Sequence, residues 1–292
     1  MNKRTPRQTT QEEKVAAALN EQGFLFSQMV REKVKSHRPG NGQAQKAWNW
    51  LAQEYAVTAT DGTQTRIDHV LQHTRNLGCF LCIECKRANP LYKQWVFFDR
   101  DYGPGGTSQT DMYFESFRVT QRPLRSNADA LHAMERYPSR SPCVVFNLYL
   151  EVAVDRNNRA GYAETIEDAF LQVTRGQTGF MAKQLTFQGP FYIVTFPIVI
   201  TTAQLFDAPF DIGQVSSSTG NIEPSDVRLT PMEFCAVNYH ANDKLAVRSN
   251  YAPALTTIED DIEFGQTRTV FVVQSDAIIL FLNWLDENIA RR

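Results

Sequence analysis

Glu84 and Lys86 stand two residues apart in the apolar run CFLCIECK, residues 79–86. Such a run reads as a buried strand, where a charged side chain is costly unless it is paired, hydrogen-bonded or bound to a metal. In a strand, residues two apart share a face, so Glu84 and Lys86 point the same way. A second carboxylate, Asp68, lies upstream in RIDHVLQ, and a hairpin through HTRNLG sets it beside Glu84. Two carboxylates brought close repel unless a cation sits between them. A hard divalent ion such as Mg²⁺ takes oxygen ligands, commonly one or two carboxylates completed by water and substrate phosphate. A lysine beside that ion holds or activates an attacking water, or balances charge on the phosphate.

Several elements must position these residues. TTQEEKVAAALNEQG has capping-box spacing, with Thr9 or Thr10 as N-cap and Glu12 or Glu13 three residues on, and it predicts a helix. FSQMVREKVKS continues as a second helical piece. WNWLAQEYAVTA, RIDHVLQ and CFLCIECKRA then read as three consecutive strands, although the first half of WNWLAQEYAVTA also fits a helix. Short links make them antiparallel neighbours. Beyond a glycine-rich loop, DRDYGPGGTSQ, the pattern predicts a helix in NADALHAMERY and a strand in SPCVVFNLYLEVAV. ETIEDAFLQVTRG carries Ile166, Phe170 and Val173 on one helical face. In FYIVTFPIVITTAQLF, Pro197 divides a strand at 198–203 from an earlier extended piece. Residues 207–230 read as loop, MEFCAVNYH as a strand, and the C-terminus as a strand, a Ser275 cap and an amphipathic helix.

The set Asp68, Glu84 and Lys86, in this order of elements, resembles the PD-(D/E)XK nuclease superfamily, the restriction-endonuclease-like fold. The resemblance covers residues 10–90 well and 162–203 loosely. It implies that Asp68 and Glu84 bind Mg²⁺ (Mn²⁺ substituting), that Lys86 assists the water attacking a phosphodiester, and that Cys85 lends its carbonyl to the ion. It also implies a supporting carboxylate from the first helix and a glutamine from a later one. Gln172 fits the second. Glu12 is preferred to Glu13 for the first because it aligns with Val15 and Leu19, the stripe expected to face the sheet. Two departures stand out: Ile67 replaces the motif's proline, and about 75 residues intervene between Lys86 and the matched second helix. A second Glu-x-Lys, Glu12 to Lys14, lies in a polar helix start and carries no such meaning.

The expected architecture is α/β: a restriction-endonuclease-like core with a mixed central sheet flanked by helices. Residues 1–8 form a disordered tail, 9–206 the core with an insertion at about 99–160, and 207–292 an extension packed on it. The leading function is a Mg²⁺-dependent deoxyribonuclease of restriction, defence or repair type. The alternative is a catalytically silent nucleic-acid-binding or scaffold protein of the same fold. A net charge of −2 gives no global cationic field, so DNA binding would rest on local bases. Arg66, Arg75 and Arg87 lie near the site, and Arg118, Arg122 and Arg125 sit among aromatics in the insertion. No apolar stretch is long enough for a membrane span, and the N-terminus has no apolar signal region, so a cytoplasmic location is expected. A homodimer is compatible with this reading. Cys79, Cys82 and Cys85 have metal-like spacing, but strand alternation puts Cys82 opposite the other two, which favours three small buried hydrophobes. His69 alternates away from Asp68 and reads as packing or surface.

Overall fold

The structure is a computed structural model. It describes residues 10–21, 23–37, 46–88, 92–98, 111–119, 130–152, 160–161, 164–184, 192–240 and 267–290. The expected glycine-rich loop lies outside these residues.

Two helices come first, α1 (Gln11–Glu21) and α2 (Phe24–Ser36). Strands β1 (Trp48–Thr58), β2 (Gln64–His73), β3 (Cys79–Lys86), β4 (Gln94–Phe98), β5 (Asp111–Val119), β6 (Ala130–Pro138), β7 (Val145–Phe146), β8 (Leu148–Val152) and β9 (Ala160–Gly161) follow. Helix α3 (Glu164–Gln184) precedes β10 (Tyr192–Thr201), β11 (Gln204–Asp207), β12 (Thr230–Met232), β13 (Phe234–His240) and β14 (Thr267–Gln274). Helix α4 (Ile278–Leu285) follows β14.

Among the described residues the molecule is α/β, with four α-helices and a mixed sheet of nine strands. The sheet runs β1-β2-β3-β10-β14-β13-β7, and β5, which pairs with β6, joins it along β10. The β1-β2-β3 unit is antiparallel, whereas β10 lies parallel to both β3 and β14. A second sheet runs β12-β11-β4-β8-β9.

Period-two alternation explains the layers. On β3, Cys79, Leu81 and Ile83 join a core with Val30 of α2 and Phe281 of α4, while Phe80 and Cys82 face Phe180 of α3. Helices therefore cover both faces. The N-terminal half of α3 is sandwiched: Ile166, Phe170 and Val173 share a core with Trp95 and Leu205 of the small sheet and Val270 and Val272 of the large one.

Four expectations are corrected here. NADALHAMERY does not supply a helix: Ala130–Pro138 is a strand, paired with β5 over its whole length. Its Ala, Leu, Met and Glu favour helix only weakly, and cross-strand pairing overrides that preference. SPCVVFNLYLEVAV is two strands serving different sheets, β7 and β8. The tract around Pro197 is one continuous strand in the sheet interior. On one side β10 follows β3 from Val194 to Thr201; on the other it leaves β5 after Val194 and meets β14 from Ile198. Pro197 sits in that handover, where a missing N–H takes nothing from either ladder. Finally, Ser275 opens a short 3₁₀ turn, and α4 starts without any side-chain cap.

Strands β13 and β14, from the stretch expected to pack on the core as an extension, lie within the main sheet. The insertion does likewise, since Met112, Phe114 and Tyr137 belong to the main core.

Candidate active site

The register between β2 and β3 pairs His69 with Ile83, Val70 with Cys82 and Leu71 with Leu81. One step further along it, Asp68 stands opposite Glu84. The ladder stops there, and the Asp68 carboxylate takes up the freed donor: Oδ2 accepts from the Cys85 backbone N–H at 2.7 Å. Asp68 is thus fixed across the strand gap by a charge-assisted bond. Glu84 and Lys86 are held on the other side by pairing of β3 with Val199 and Thr201 of β10.

Helix α3 completes the group. Lys86 Nζ donates to Gln172 Oε1 at 3.2 Å. The helix is anchored by Glu151 of β8, a buried carboxylate that accepts from the Ile166 N–H at 3.0 Å and from the Thr165 hydroxyl at 3.3 Å. An acid at that position satisfies first-turn donors and complements the helix dipole. Further along, Gln177 bonds both the carbonyl and the hydroxyl of Thr195. Gly176 lets the helix lie directly on Ile67, where a Cβ would stand only 2.8 Å from Ile67 Cγ1. The residue beside Asp68 is therefore clamped by the helix that presents Gln172.

The electrostatics follow from the burial. Burial pushes the Asp68 carboxyl up to about 6, opposed by the Cys85 N–H and Lys86 and reinforced by Glu54. Burial pushes Glu84 up to about 8, with the Asp68 charge adding to it and Lys86 partly offsetting it. Burial thus makes the charged form of both groups costlier than in water, and a cation between them would lower that cost.

Glu54 was not foreseen. It lies in β1 between Gln53 and Tyr55, which pair with His69 and Ile67, so it stands across from Asp68. Its φ is 49°, a left-handed conformation rare outside glycine, in a strand that also carries a register shift between Trp50 and Ala52. Its side chain is half-exposed and lies 3.9 Å from Arg66. Strand alternation in the sequence gives no sign of this distortion.

Oxygen donors of this kind suit a hard divalent cation. The Cys85 thiol does not compete, because its strand position turns it toward the opposite face and burial holds it protonated. Among the described residues, no three His, Cys, Asp or Glu side chains converge as a metal cage. Two carboxylates with water and substrate oxygens is a common arrangement for Mg²⁺.

The other expected residues are distributed differently. Glu12 is fully exposed on α1, and Val15 and Leu19 are exposed with it, so that stripe does not face the sheet. The capping box belongs to Thr10 and Glu13, whose side chains each accept from the other's backbone N–H. Arg66 is exposed on β2, Arg87 is exposed just past the end of β3, and Arg75 is exposed in the turn at the far end of β2. Arg118 pairs through its backbone with Tyr192, but its side chain lies outside the described residues, as do Arg122 and Arg125 entirely.

His69 is buried, with Nε2 3.1 Å from the Ser27 carbonyl and its ring against Trp50, and burial lowers its pKa to about 4. The five cysteines are free, and four of them are buried. No described helix is long and apolar enough to cross a membrane.

No family model, curated protein or solved structure matches this chain.

Proposed function

We propose that the chain is a Mg²⁺-dependent nuclease with a restriction-endonuclease-like core, hydrolysing phosphodiester bonds in DNA. The observation carrying this reading is the meeting of Asp68, Glu84, Lys86 and Gln172 where β2 and β3 part. A purely structural Glu–Lys pair needs neither a second, partly buried carboxylate opposite nor a glutamine on the lysine.

In this reading Asp68 and Glu84 hold the ion, which supplies Lewis acidity and charge neutralisation at the scissile phosphate. The Cys85 N–H keeps Asp68 turned toward the gap. Gln172 fixes the Lys86 ammonium, and Lys86 orients the attacking water and offsets charge developing on the phosphate. Glu54 adds negative potential at the mouth of the site.

The test is cleavage of single-stranded and duplex DNA and of RNA, with Mg²⁺, Mn²⁺ or EDTA. Asp68→Ala and Glu84→Ala should lose Mn²⁺ binding by calorimetry while remaining folded. Lys86→Ala should lose at least about 100-fold in turnover with metal and DNA binding nearly intact, since such a lysine acts mainly in the transition state. If the parent binds DNA but never cleaves, the protein is the silent binding form. If Lys86→Ala lowers the melting temperature and spares turnover, the lysine is only an ion-pair partner.

A further inference from the structure

A concave surface of about 680 Å³ opens between the paired ends of β1 and β2 and the last turns of α3, its nearest lining residue on β2, Arg66, two positions from Asp68. Thr58, Gln64, Thr65, Arg66, Gly179 and Lys183 contribute to its walls. The polar members are hydroxyls, an amide and two cations. Asp61, the acid at the turn joining β1 to β2, is engaged by Arg175 at 3.0 Å. Lys183 is held with its ammonium 4.4 Å from the Tyr55 ring centre and 3.4 Å from the Ala56 carbonyl. The Arg66 side chain is 70% exposed, with Glu54 as a loose neighbour at 3.9 Å.

The groove and the site share their two supporting elements. Arg66 precedes Asp68 by two residues on β2, about 7 Å of strand. Lys183 follows Gln172 by eleven residues on α3, about 16 Å of helix. Arg66 and Lys183 both line the concave surface, so a chain leaving the carboxylates past Arg66 would meet Lys183 on the same side of the site. Its volume is that of a small-ligand pocket, enough for the backbone of one strand.

We infer that this groove is the subsite gripping the phosphate backbone of a single nucleic-acid strand on one side of the scissile bond. Arg66 takes the phosphate nearer the cut and Lys183 one farther out. The inference rests on the nuclease reading above. A span of about 16 Å is on the order of five nucleotides at duplex rise, and fewer in an extended strand.

Single-stranded DNA oligonucleotides, shortened stepwise from either side of the cut, test it. Cleavage should fall when the strand is shortened to within about two to five nucleotides of the cut on one side, and be indifferent on the other. Arg66→Gln and Lys183→Gln should each weaken binding of the uncut oligonucleotide in EDTA about fivefold, one charge-assisted contact apiece. Each should also flatten the salt dependence by about 0.7, and raise KM more than they lower kcat. Lys183→Gln should in addition abolish the effect of the outermost shortening. Lys183→Met, which keeps the apolar stem over Tyr55, should reproduce the binding loss at unchanged melting temperature.

Symmetric dependence on length, or unchanged salt slope and KM with cleavage intact, removes the strand from this groove while leaving the nuclease reading in place. A parent that binds and cleaves only duplex does the same. A parent that neither binds nor cleaves any nucleic acid overturns the nuclease reading, and this inference with it.

Discussion

Glu84 shows how one buried charge makes stability depend on its surroundings. Its folded pKa, about 8, lies above the ordinary carboxylate value of 4.5. The folded state therefore holds a proton that the unfolded chain releases. Stability is fullest below pH 4.5 and is lost as pH rises through 8. Asp68 acts in the same direction between 3.8 and about 6. In EDTA the melting temperature should fall between pH 5.5 and 8, and Glu84→Gln should flatten much of that fall. Mg²⁺ should raise the melting temperature more at pH 8 than at 5.5, because binding must displace protons at the lower pH. A parent curve as flat as the variant's would mean that Glu84 is solvated rather than buried. Asp68, Glu84 and Lys86 were legible in the sequence because a charge inside an apolar strand demands compensation. Glu54 was not, because a left-handed residue in a strand leaves no mark on the pattern of residue types.

At the scale of elements, α3 shows that a close approach can outweigh intrinsic propensity. Gly176 and Gly179 lie inside the helix, where alanine would ordinarily gain about 1 kcal/mol each. Here a Cβ at 176 meets Ile67, and one at 179 meets the Thr58 carbonyl and Val57. Gly176→Ala should therefore destabilise the protein, by about 1–3 kcal/mol in urea unfolding, and should shift Ile67 enough to lower activity. A gain in stability would show that the helix has room to lift. The period of ETIEDAFLQV made the first half of α3 readable. Its continuation through RGQTGFMAKQ was hidden by the two glycines, whose reason is tertiary. NADALHAMERY misled in the opposite sense, since its helix formers serve as a strand once β5 is alongside.

Across the whole molecule, the stretch read as an insertion is tied into the main sheet by buried polar groups. Arg268 of β14 and Glu115 of β5 are 2% and 0% exposed and meet at 2.6 Å. The Tyr113 N–H donates to Thr269 Oγ1, and Thr269 donates in turn to Asn238. Breaking a buried pair from one side leaves a charge uncompensated. Arg268→Met should cost about 3–5 kcal/mol, and adding Glu115→Leu should recover most of it. A double variant as unstable as the single would point to packing rather than charge. These links were not legible in the sequence, because a mixed polar strand such as DMYFESFRV reads as surface until its partners are known.

The parallel pairing of β3 with β10 also sets a timetable for synthesis. The last residue of β3 is number 86 and the first of β10 is 192, a gap of 106 positions. At about 5–20 residues per second, the ribosome needs roughly 5–20 s to cross it. Throughout that interval the nascent β1-β2-β3 unit presents an apolar strand edge with no neighbour, a known template for aggregation. Glu84 and Lys86, near the end of that edge strand, are charged residues of the kind that hinder premature strand addition. A cell making this protein quickly would gain from a chaperone that covers the edge until β10 is made.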